Sequence, residues 1–115
     1  MDIAENMRRL SLLNAYHVST TLAYFVERLQ ATPDGDGTLL DHSLVLYGSG
    51  MGNSQDHNHK ALPVVLAGGA SGKVVGGQHV QAESGTPISN LLVTMLDKVG
   101  VPVDAFGDSN GTVSI

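Results

Sequence analysis

Two short, almost purely apolar runs, Leu44-Val45-Leu46-Tyr47 and Leu62-Pro63-Val64-Val65-Leu66-Ala67, constrain this chain more than any other feature. Runs of this length suit strands buried on both faces, as in a parallel sheet covered by helices. The flanking sequence supplies the helices. Residues 4–31 place Val18, Leu22, Phe25 and Leu29 at the spacing of a buried stripe, and Met7, Leu10 and Leu13 extend it upstream. Pro33 ends this helix, and Asp34-Gly35-Asp36-Gly37 makes a turn. A second helix opens with Thr86 as N-cap and Pro87 in the first helical position. Ile88, Leu91, Leu92, Met95, Leu96 and Val99 mark one face of it. Gly100 suits the residue just past its end, and Pro102 blocks continuation.

The order helix, strand, strand, helix predicts one α/β unit over residues 1–115. It is a small layered unit with a short, mainly parallel sheet, strands near 43–48 and 63–67, flanked by helices. Leu22, Phe25, Leu46, Val65, Leu92 and Leu96 are its expected buried residues. Residues 73–75, 78–80 and 112–115 are further short strand candidates. Two strands are few for a parallel sheet, whose faces and edges need partners. The chain therefore reads as a piece of a larger sheet, or as one that associates into a homo-oligomer.

Charge narrows the function classes. Eleven acidic residues outnumber six basic ones, giving a net charge of −5. Nucleic acid and anionic membranes call for clustered Lys and Arg, so neither is an expected partner. No stretch approaches the ~20 apolar residues of a membrane span, and no membrane insertion is expected. The absence of cysteine removes disulfide and thiolate chemistry and leaves the compartment open.

The reactive side chains gather between the two apolar runs, in Gly50-Met51-Gly52-Asn53-Ser54-Gln55-Asp56-His57-Asn58-His59-Lys60. A His-x-His pair in a loop can turn both imidazoles toward one divalent ion, zinc or manganese. Asp56 would be a third ligand or an acceptor that orients a ring. His79, after two glycines, joins them if the preceding Gly-rich stretch folds back. The same spacing also suits a solvated polar loop.

Other motifs fail on context. Gly68, Gly72 and Lys73 are one residue too close for a phosphate loop, and Val74 follows where Ser or Thr is required. Gly48-Ser49-Gly50 is too short for a nucleophile elbow, and no helix follows. The Asp34–Gly37 turn lacks the downstream Glu of a calcium loop. His17 beside the first helix's stripe, His42 after Asp41, and Asp108 read as packed, capping and turn residues. No catalytic residue is expected within the chain.

Several strings taken in order resemble a large bacterial family, domain of unknown function 1552, also named for its HXXSHH motif. They are Gly35-Asp36-Gly37-Thr38-Leu39-Leu40-Asp41, Tyr47-Gly48-Ser49-Gly50-Met51, His57-x-His59, Leu62-Pro63-Val64-Val65-Leu66-Ala67-Gly68-Gly69, Gly77-Gln78-His79, Thr86-Pro87-Ile88-Ser89-Asn90-Leu91 and Phe106-Gly107-Asp108-Ser109. The family in turn resembles the alkaline-phosphatase-like metallohydrolases, which include sulfatases. By position, His57, His59 and His79 fall where later metal ligands stand, with Asp56 beside them. Ser49-Gly50-Met51 occupies the place of the usual Asp-His-Gly metal motif. The His-x-x-Ser-His-His string that names the family lies upstream of the matched region. The resemblance thus implies the C-terminal part of a longer, exported protein, with the nucleophile and an export signal in that upstream region. It implies either a segment of a metal-dependent phosphatase- or sulfatase-like hydrolase, or a binding or assembly domain that has lost the standard metal site.

Overall fold

The computed structural model describes residues 2–52 and 56–115. Asn53, Ser54 and Gln55 of the histidine loop and the side chain of Met7 lie outside the described residues. Helices combine with two small antiparallel sheets. The chain divides into two compact units, Met1–Leu39 and Leu40–Ile115.

In the first unit, helix α1 (Ile3–His17) starts where the Asp2 carboxylate accepts the Ala4 N–H at 3.2 Å. It runs through a π-helical turn (Val18–Leu22) into α2 (Ala23–Gln30), covering the predicted helical range. The sequence explains the π turn. The Tyr16 carbonyl accepts the Thr20 hydroxyl at 2.6 Å and the Ser19 hydroxyl at 3.3 Å. Side chains competing for a backbone acceptor disturb the helical ladder. It slips to a five-residue bond, as from the Ala23 N–H to the Val18 carbonyl. Strands β1 (Pro33–Asp34) and β2 (Gly37–Thr38) then close the expected turn, with Gly35 at φ +59°.

Burial on this helix departs from the expected stripe. Leu22 is buried, but Phe25 is 49% exposed. Leu12, Leu13, Tyr16 and Tyr24 are all more than half exposed. Leu10 with Leu13, and Leu12 with Tyr16, pair at helical spacing on different sides of α1. Large apolar side chains therefore stay exposed along this helix, beside the exposed Arg9–Glu5 pair, a surface suited to contact with protein.

In the second unit, β3 (Val45–Gly48) and β4 (Val64–Ala67) are adjacent as expected, but antiparallel. Val45 faces Ala67, and Gly48 faces Val64. The expected parallel sheet is thus corrected. A parallel pair needs a crossover, usually a helix. Here no helix forms among the described residues of 49–63, and the chain returns along the neighbouring strand. Val65 is 43% exposed rather than buried, because the two-stranded sheet leaves that side uncovered. Leu46, Leu92 and Leu96 are half-buried. The buried apolar residues of this unit are Ala70 and Val93.

Helix α3 (Ile88–Lys98) begins one residue later than expected, with Pro87 as its N-cap and no side-chain cap bond. Thr86 instead donates its N–H to the Glu83 carbonyl. The C-terminus follows the expectation. Gly100 takes φ +84°, its N–H donates to Asp97, and the Val101 N–H donates to Leu96. This pair of bonds is the Schellman motif. Residues 73–75, 78–80 and 112–115 form no strands.

Candidate functional site

The histidine loop leaves β3 past two glycines, Gly48 and Gly52, that have no room for a side chain. A Cβ on Gly48 would sit 2.9 Å from the Pro63 carbonyl oxygen, and one on Gly52 would collide with that of Lys60. The Gly52 N–H donates to the Asn58 carbonyl at 2.8 Å, and the Asn58 side chain accepts the Lys60 N–H at 2.7 Å. These bonds fold the loop back on itself. His57 adopts φ +50° and Ala61 φ +50°, left-handed values that strain a residue with a side chain.

The Nδ1 of His59 lies 2.6 Å from the Gly50 carbonyl oxygen. A carbonyl can only accept, so Nδ1 carries the proton, and in the neutral ring Nε2 keeps its lone pair. This is the arrangement that orients ligating imidazoles. His57 and His59 are exposed, as is Asp56. His79 is also exposed, in the irregular stretch between Lys73 and α3. A catalytic zinc takes three protein ligands and leaves one position open. Among the described residues, no three of His, Asp and Glu come within reach of one ion. His57, His59, His79 and Asp56 thus form no group of three around one point among the described residues.

Ser49 is engaged locally. Its hydroxyl donates to the Met51 carbonyl at 2.9 Å and accepts the Met51 N–H at 3.2 Å. That closes a tight turn and matches the structural rather than the nucleophilic reading.

Sequence reasoning missed a buried polar face. Ser89, Asn90 and Thr94 of α3 are buried, while Ile88 and Val99 of the expected apolar face are 40% and 48% exposed. Residues 106–113 lie along the polar face as a strap. Ser89 donates to the Asp108 carboxylate at 2.5 Å. Asn90 donates to the Asn110 side chain at 3.0 Å and accepts the Asn110 N–H at 2.9 Å. Thr94 donates to the Val113 carbonyl at 2.8 Å and accepts its N–H at 3.1 Å. Asp108, expected as a plain turn residue, is thus an anchor of the strap. The available signal was three short polar residues on an apolar helix, followed by Asp-Ser-Asn in the tail.

The chain matches no protein-family model, no curated protein and no solved structure.

Proposed function

We propose that the chain is the C-terminal segment of an HXXSHH-family protein, inactive in isolation, that completes a larger body resembling the alkaline-phosphatase-like metallohydrolases. The observation that carries this reading is the helix of the first unit, which leaves Leu12, Leu13, Tyr16, Tyr24 and Phe25 largely exposed. Such a surface calls for enclosure by other protein. The strings behind the resemblance also fall where the backbone needs them, at Gly48, Gly68 and Gly69, each lacking room for a Cβ. In this reading, His57 and His59 form a ligand pair for a divalent metal, zinc or manganese, whose remaining ligands come from outside the described residues. The oriented His59 ring supports that part. A second reading, a binding or assembly domain without a metal, is favoured by Ser49-Gly50-Met51 standing where the resembled enzymes carry Asp-His-Gly.

Two measurements test the proposal. The purified chain is expected to show no phosphatase or sulfatase turnover, since among the described residues no nucleophile stands beside a base. Turnover that persists through repeated purification would overturn it. Zinc titration by calorimetry separates the two readings. Weak binding that disappears in His57→Ala/His59→Ala supports the ligand pair, and equal heats in both proteins support the metal-free domain.

A further inference from the structure

We infer that the second unit carries a small oxyanion site between Lys73 and Lys98. An open hollow of about 100 Å³ is lined by His42, Ala70, Ser71, Lys73, Lys98 and Val99. The inference is independent of the family reading, and none of these residues belongs to the histidine loop.

Three observations carry it. First, charge is concentrated against the background. The chain bears −5, yet two of its three lysines flank this one hollow. Neither ammonium has an acidic partner among the described residues, where the ion pair found is Glu5–Arg9. An acidic chain repels anions at long range, so capture requires a local group of donors.

Second, the floor is pre-organised. The Gly69 N–H donates to Leu40, the Ala70 N–H to Ser43 and the Ser71 N–H to Asp41. These bonds fasten the two turns together, and Gly69 has no space for a Cβ against the Asp41 carbonyl. Third, Ala70 and Ser71 are consecutive non-glycine residues at φ +46° and +57°. Left-handed strain of this kind collects at binding sites, where the surroundings hold it in place.

The site differs from a phosphate loop, because the amides of residues 69–74 are already bonded to carbonyls. Side chains would hold the ligand instead, with two ammonium groups and the Ser71 hydroxyl as donors. Lys98 also sits in the last turn of α3, where a cation complements the helix end. The Schellman bonds already satisfy carbonyls there, leaving the ammonium available to a ligand. Phosphate or sulfate, free or as an ester, fits these donors.

Inorganic phosphate is the probe. In ¹H–¹⁵N spectra at constant ionic strength, amide signals of residues 70–73 and 98–99 should shift and saturate, with affinity on the order of millimolar. Lys73→Ala/Lys98→Ala should weaken binding at least about tenfold, because both charge-assisted contacts are lost. Arg28→Ala/Lys60→Ala, with the same change in net charge, should leave it unchanged. Shifts that grow linearly without saturation, or equal affinity in both double variants, would overturn the site.

Discussion

Gly68→Val is expected to unfold the unit Leu40–Ile115 under conditions where the wild type is folded. Gly68 lies at φ +111°, where a residue with a side chain is strained whatever the space. Space is also absent, because a Cβ there would collide with the Ser43 carbonyl and press on that of Leu40, 3.2 Å away. Both obstacles are backbone, held by the bonds that tie residues 40–43 to residues 69–71, so neither can swing aside. Overpacking and left-handed strain together should cost roughly 2–5 kcal/mol. A domain holds only about 5–15 kcal/mol in total, so this is a large share. Gly50→Ala is the control. A Cβ at Gly50 meets open space, and the change should stay within about 0.5 kcal/mol. Urea denaturation followed by circular dichroism compares them. Equal midpoints for the two variants would contradict the packing described for the turn.

The strap on α3 gives the second large effect. Asn90→Leu keeps the branching and the number of heavy atoms and removes both bonds to Asn110. The Asn110 N–H then faces an apolar group, and its side-chain oxygen loses its donor. An unpaired buried polar group costs about 1–3 kcal/mol. The strap side of the pair is exposed and can turn to water, so the expected loss lies near about 2 kcal/mol. Faster hydrogen exchange should accompany it at Asn110 and Val113, because release of the strap opens both amides. Ser89→Ala should cost less, about 1 kcal/mol, since Asp108 is exposed and its carboxylate can be hydrated. A neutral Asn90→Leu, with unchanged exchange, would show that the strap contributes nothing to holding the helix.

The parts of the fold that were legible in sequence are those fixed by local chemistry. The long helix followed from periodicity, and its end followed from Pro33. The end of α3 followed from Gly100, because few other residues accept the left-handed position that a Schellman motif requires. Strand positions followed from the apolar runs, but their direction did not. Leu44–Tyr47 reads the same beside a parallel or an antiparallel neighbour, and the parallel choice rested on burial of both faces. Val65, 43% exposed, lacks that burial. The polar face of α3 was hidden for a different reason. Ser89, Asn90 and Thr94 read as a solvent face until partners about twenty residues downstream are known to reach them. At the histidine loop, the pattern pointed to His57 and His59 together. It could not show that Gly50, nine residues before His59, would fix that ring. Nor could it show that His79 would stay outside any common ligand group.

The exposed apolar helix and the thin apolar interior share one explanation in the proposed reading, namely that this chain completes a larger α/β body. The most direct test is to sequence the source genome immediately upstream of the codon for Met1. The account predicts an uninterrupted reading frame that carries a His-x-x-Ser-His-His string. An in-frame stop codon, followed by independent start signals for this chain, would contradict it.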